Sequence, residues 1–131
     1  MEITVKELDH CDVISVNGRL ERSTVAQLNQ ALEASNNRGR YNLILDLSQV
    51  EYMSSAGFRA LLIAQQNNRR NQRGDLILAQ APEHISQALE ITGFREFFRT
   101  FDDLSSAIEF AAQLGNAPPT DTPPPEEDRV V

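Results

Sequence analysis

The residues best placed for chemistry are two adjacent hydroxyls, Ser54 and Ser55, followed by Ala56 and Gly57. They stand between a buried-strand pattern and an amphipathic helix pattern. That places them at the N-cap or first turn of the helix, at the carboxyl end of a strand. Backbone N–H groups are free there and the dipole end is positive, so the fold tolerates an added anion. A phosphate on Ser55 would bring about −1.5 to −2 charges to a surface otherwise neutral and partly apolar. The small side chains of Ala56 and Gly57 let another protein approach the backbone closely. The chemistry is that of a switchable docking surface. Taken alone, Ser-Ser-x-Gly reads first as an ordinary helix cap.

Other residues offer less. The chain lacks G-x-S-x-G, G-x-x-x-x-G-K-[ST] and G-x-G-x-x-G, so neither a nucleophile elbow nor a phosphate-cradling loop is encoded. His10 and His84 have no companion at metal-ligand spacing, and Cys11 reads as a plain thiol in a turn. No metal or cofactor is expected. Asp102-Asp103 open a helix, where capping accounts for both carboxylates. Arg69, Arg70 and Arg73 cluster near a helix C-terminus, a favourable place for cations that also suits an acidic partner surface.

The elements that position Ser55 follow from periodicity. Ile3, Val5 and Leu8, then Ile14 and Val16, read as a hairpin joined by Asp9-His10-Cys11-Asp12, with Gly18 ending the second strand. Ser23 caps a helix carrying Val25, Leu28, Ala31 and Leu32 on one stripe, stopped at Asn36-Asn37-Arg38-Gly39. Leu43–Leu47 is a short strand covered on both faces. A turn-rich stretch follows, and then a helix through Phe58, Leu61, Leu62 and Gln65 that frays over 67–73 and ends at Gly74. Leu76–Ala79 is a second buried strand. Ile85, Ala88 and Leu89 mark a helix entered through Pro82 and closed by Gly93. Phe97–Phe101 is an edge strand, and Leu104, Ala107, Ile108 and Ala111 face inward from a last helix. The expectation is an α/β domain of order β-β-α-β-α-β-α-β-α, with a mixed, mostly parallel sheet of four to five strands and about four helices.

The 131 residues are 40% hydrophobic with a formal charge of −7. That suffices for one domain and not two. The acidic balance argues against a general nucleic-acid binder. No apolar run is long enough to span a bilayer, and the N-terminus lacks the pattern of a secretory signal. A single cysteine fits a reducing compartment, so a cytoplasmic protein is expected. Residues 117–131 hold five of the six prolines, four acids and one arginine. They read as a disordered tail of charge −3, leaving −4 on a domain spanning 1–116. One phosphate would take that domain to about −6.

The segment Asp46-Leu47-Ser48-Gln49-Val50-Glu51-Tyr52-Met53-Ser54-Ser55-Ala56-Gly57 resembles the motif D-[LM]-S-x-[VL]-x-x-[ILM]-D-S-[ST]-G of the STAS domains of anti-sigma factor antagonists. Val13–Glu21, with Gly18, resembles the family's V-x-x-x-G-x-[LI]-D. The likeness covers about Met1 to Leu114. It implies an interaction switch and not an enzyme. The unphosphorylated chain would bind an anti-sigma factor that is also a serine kinase, so releasing a sigma factor. Phosphorylation would weaken that complex, and a serine phosphatase of the 2C class would reset it. By the resemblance Ser55 is the acceptor, Ser54 a second candidate, and Gly57, Asp46 and Ser48 complete the motif. The partner-binding set is Glu21, Ser54, Ser55, Ala56, Gly57 and Phe58. Two positions depart from the family: Ser54 replaces its aspartate, and Glu21 replaces the other. STAS domains also serve as accessory subunits of lipid-transport or other membrane complexes, a second role with a constitutive protein contact.

Overall fold

The computed structural model describes residues 1–70 and 74–115. Arg73 and the expected tail over 117–131 lie outside the described residues. Alternation in Glu2–Glu7 (β1) and Asp12–Leu20 (β2) makes the expected antiparallel hairpin, with Glu2 opposite Asn17 and Glu7 opposite Asp12. Leu43–Met53 (β3), Leu76–Ala79 (β4) and Arg99–Phe101 (β5) then add in parallel. The sheet order is β1-β2-β3-β4-β5, so β5 is an edge strand as its sequence implied.

The helices are Val25–Asn37 (α1), Ser55–Arg69 (α2), Glu83–Thr92 (α3) and Leu104–Gly115 (α4). Leu28 and Leu32 of α1, Leu61 of α2, and Ile85 and Leu89 of α3 cover one face of the sheet, packing on Ile14, Leu45 and Leu78. Ala107 and Ala111 of α4 cover the other, over Val13, Ile44 and Ile77. Each fully buried Leu or Ile contributes about 1.5–3 kcal/mol, against about 0.8 for an alanine methyl. The first face therefore carries most of the hydrophobic stabilisation, and it is the face that seats the start of α2. No helix among the described residues is long and apolar enough to cross a membrane.

Four boundaries differ from the sequence expectation. Gly18 does not end β2; it bends it at φ +125°, and the strand runs on to Leu20. The stretch after Leu47 is not a turn, because β3 continues to Met53. Two register shifts against β2 break its alternation, one between Ser15 and Asn17 and one between Gly18 and Arg19. Each inserts an extra residue on β3, which hides the period of two. Ser23 does not cap α1: Thr24 occupies the N-cap, and its hydroxyl bonds backwards to the Arg19 carbonyl at 2.7 Å. Phe94–Phe97 form a 3₁₀ turn, so Phe97 precedes β5 instead of opening it.

Cys11 is a thiol in the β1–β2 turn, as expected, and it is buried. Desolvation is the main cause that pushes its thiol pKa above 9.0; Arg40 opposes the shift and Asp12 adds to it. Because the folded value is raised, stability is unaffected below the unfolded thiol's pKa and falls as alkaline pH ionises the group. Alkylation of the native protein at pH 8 is expected to be slower than in denaturant by about 100-fold or more. Equal rates would show that Cys11 is not sequestered.

Candidate functional site

The start of α2 is pinned to the end of β2. The Ser54 N–H donates to the Leu20 carbonyl at 2.9 Å. Gly57 lies directly beneath, and a Cβ there would stand 2.7 Å from Met53 Cγ, 3.0 Å from the Leu20 carbonyl oxygen and 3.1 Å from Leu20 Cγ. Gly57 is buried. Its small size thus serves the seat of the helix on the sheet, an internal close approach, and does not open the surface.

The two serines are used differently. Ser54 is the N-cap, in extended backbone, and its Oγ accepts from the Gly57 N–H at 3.3 Å. Ser55 is the first helical residue and is exposed. Its hydroxyl has no hydrogen-bond partner among the described residues. Ala56 and Phe58 are half-buried, Phe58 packing against the core. The capping oxygen is committed to the fold, while the next hydroxyl is free.

Ser55 opens onto a groove of about 990 Å³ between α1 and α2, lined among others by Glu21, Arg22, Leu32, Arg59 and Ala64. Glu21 pairs with Arg19 at 3.5 Å. The Arg19 guanidinium lies 4.5 Å from the centroid of the half-exposed Tyr52 ring. Thr24 Oγ1 accepts from the Glu21 N–H at 3.0 Å. These contacts brace the β2–α1 turn, whose Glu21 and Arg22 line the same groove as Ser55. Sequence pattern does not single out Arg19, Arg22, Tyr52, Thr24 or Arg59 for this site. Arg59 alone left a sequence signal, being four residues beyond Ser55 and so on the same helical face.

Asp46 and Ser48 do not reach this groove. Asp46 Oδ1 accepts from the Ser48 N–H at 3.0 Å and from Gln80 Nε2 at 3.0 Å. Gln80 itself has φ +59°, a left-handed conformation rare outside glycine. The aspartate that opens the motif supports the first irregularity of β3 and the end of β4, whereas the glycine that closes it seats the helix. Gly18 is needed for a second reason besides its φ: a Cβ there would stand 3.2 Å from Met1 Cα.

Among the described residues no group of three or more His, Cys, Asp or Glu is placed to hold a metal. His10 and His84 are both exposed. Asp103 sits at the N-cap of α4, where hydrogen bonds, first that from Ser106, hold its carboxyl below the usual range. Arg69 pairs with Asp75 at 3.1 Å.

The family model described as Mlab, STAS domain, matches residues 3–100. A Bordetella bronchiseptica protein named as the anti-sigma factor antagonist BtrV is 31% identical over 98 residues, spanning 75% of this chain and 84% of its own. A Thermotoga maritima structure described as an anti-sigma factor antagonist superposes with TM-score 0.78 at 19% identity, covering 84% of this chain and 94% of its own. The Bacillus cell-fate determinant SpoIIAA, in its phosphorylated form, superposes with TM-score 0.64 at 16% identity, covering 83% and 98%. Both structural likenesses are likenesses of fold. With a family model spanning three quarters of its length and a relative at that identity, the chain belongs to the STAS-domain family.

Proposed function

We propose that this protein is an anti-sigma factor antagonist that works by partner switching in the cytoplasm. Unphosphorylated, it binds a serine-kinase anti-sigma factor and so releases a sigma factor. A phosphate on Ser55 weakens that complex by charge repulsion and desolvation at the interface. A serine phosphatase of the 2C class restores binding. The chain acts as a binding module; the nucleotide belongs to the kinase.

The observation that carries this reading is the division of labour between two neighbouring hydroxyls. Ser54 Oγ caps α2, and Ser55 is exposed and free at the mouth of the groove. The test is intact-mass and peptide analysis of the protein purified from its own host, before and after phosphatase treatment. A single removable phosphate on Ser55 is expected, absent from Ser55→Ala and retained in Ser54→Ala. Phosphate on neither serine, across growth conditions, would sink the mechanism. Ser55→Asp is expected to bind the kinase about 100-fold more weakly than the wild type, since like charge at an interface costs about 2–3 kcal/mol.

A second reading, which rests on the family's other roles, has the same surface make a constitutive contact within a lipid-transport or other membrane complex. Recovery of a transport ATPase in a pull-down that phosphatase treatment leaves unchanged would favour it over switching.

A further inference from the structure

The hydrogen bond from Ser54 N–H to the Leu20 carbonyl brings two chain segments side by side. Ser55 is one residue past the first of these atoms and Arg22 two residues past the second. Arg59 follows Ser55 by four residues on the same helix, close enough for direct side-chain contact. All three line the same groove. Arg22 and Arg59 are both exposed. Five other arginines pair with a carboxylate, Arg19 with Glu21, Arg38 and Arg40 with Asp12, Arg69 with Asp75, and Arg95 with Glu90, and Arg99 lies over the Phe110 ring. Arg22 and Arg59 have no carboxylate or hydrogen-bond partner among the described residues. Two unpaired guanidinium groups thus share one groove with one unpaired hydroxyl.

The geometry points to a phosphate-binding clamp in cis, in which a phosphoryl group on Ser55 is held by Arg59 from its own helix and by Arg22 from the facing β2–α1 turn. Guanidinium forks match phosphate oxygens and form the stronger, charge-assisted class of hydrogen bond. The consequence differs from simple repulsion. The modification draws two cations out of the docking surface and ties α2 to the β2–α1 turn across the mouth of the groove. A partner that pairs with these arginines would lose both at once. The unmodified surface would present two free cations, suited to an acidic partner segment.

This inference rests on Ser55 as the acceptor, and its test does not rest on the kinase. Phosphoserine is installed at position 55 of the full chain by suppressor-mediated translation, and its second ionisation is followed by ³¹P NMR against pH. Both arginines favour the dianion, so the midpoint should lie below the ordinary value of about 6. In Arg22→Gln/Arg59→Gln the midpoint is expected to rise by about 0.5 to 1 unit at low salt. Arg69→Gln/Arg95→Gln removes the same net charge far from Ser55 and is expected to leave the midpoint unchanged. All four side chains are exposed, and circular dichroism checks that each variant folds. Identical midpoints in the wild type and the Arg22/Arg59 variant would overturn the clamp. An equal rise in the two double variants would also overturn it, since bulk charge alone would then explain the shift. If the clamp is seen while host-purified protein carries no phosphate on Ser55, the switching reading fails and the clamp does not.

Discussion

Asp12→Ala is expected to destabilise the domain by about 3 kcal/mol, the lower end of the range for breaking a buried ion pair. Asp12 is fully buried, and its carboxylate accepts from Ser35 Oγ at 2.7 Å, Arg38 Nη2 at 2.8 Å and Arg40 Nε at 3.0 Å. Arg40 also donates to the backbone carbonyls of Leu8 and Cys11. The cluster therefore ties the β1–β2 turn to the end of α1 and the entry to β3. Removing the carboxylate leaves the buried Ser35 hydroxyl without an acceptor and leaves Arg38 and Arg40 only the exposed Glu7 carboxylate, at 4.0 and 3.7 Å. The arginine side chains are 46% and 23% exposed, so both can turn partly to water, which is why the lower end applies. For the same reason Arg40→Ala should cost more than Arg38→Ala. Asp12→Asn keeps the volume and one acceptor and should cost about half as much as alanine. Urea denaturation measures all four. A loss under 1 kcal/mol for Asp12→Ala would show that the network only decorates the surface. Because Asp12 begins β2 and Ser55 follows the end of β3, these variants should leave modification of Ser55 unchanged wherever they remain folded.

Gly57→Val is expected to have the second large effect, about 3 kcal/mol, and Gly57→Ala about 2 kcal/mol, within the range for overpacking a filled site. The three atoms around the new methyl differ in how far they can yield. Met53 Cγ, at 2.7 Å, belongs to a flexible side chain and can move. The Leu20 carbonyl oxygen, at 3.0 Å, is backbone and already accepts from the Ser54 N–H. Relief therefore has to come from lifting α2 off the end of β2, which stretches that hydrogen bond and shifts Ser54 and Ser55 relative to Glu21 and Arg22. Stability and partner binding should fall together in Gly57→Ala. In Ser55→Ala stability should stay within about 0.5 kcal/mol of the wild type, as for other exposed sites. If Gly57→Ala is as stable as the wild type, Met53 alone absorbs the methyl and the close approach does not matter.

These two sites mark where reading by pattern succeeds and where it stops. The order of elements was legible because each strand or helix announces itself within about ten residues, through a period of two or 3.6 and a terminating Gly, Pro or Asn. The β1–β2 hairpin, the buried β4 and the helix between Pro82 and Gly93 all stand where their local signals placed them. The second half of β3 reads as a turn in sequence because its two extra residues disrupt the alternation that defines a strand. Thr24 carries no N-cap signal in sequence beside Ser23, because a cap is recognised by its bond to its own helix and the Thr24 hydroxyl bonds to Arg19 instead.

The site divides in the same way. The sequence by itself determined that Ser54 and Ser55 open a helix after a strand, since that depends only on neighbours along the chain. It also determined the acidic balance, which argues against a general nucleic-acid binder. Which hydroxyl is free was decided by tertiary structure, because α2 begins where the Leu20 carbonyl holds Ser54, and that leaves Ser54 Oγ as the cap. The inward turn of Gly57 was decided there too, as was the meeting of Asp12 with Ser35, Arg38 and Arg40 across 23 to 28 residues. The gathering of Arg22 and Arg59 on one groove is of the same kind. The physical reason is common to all of them. Hydrophobic patterning specifies which face of an element is buried, whereas the partner of a given polar atom depends on which distant backbone or side chain the packed sheet brings within about 3 Å of it.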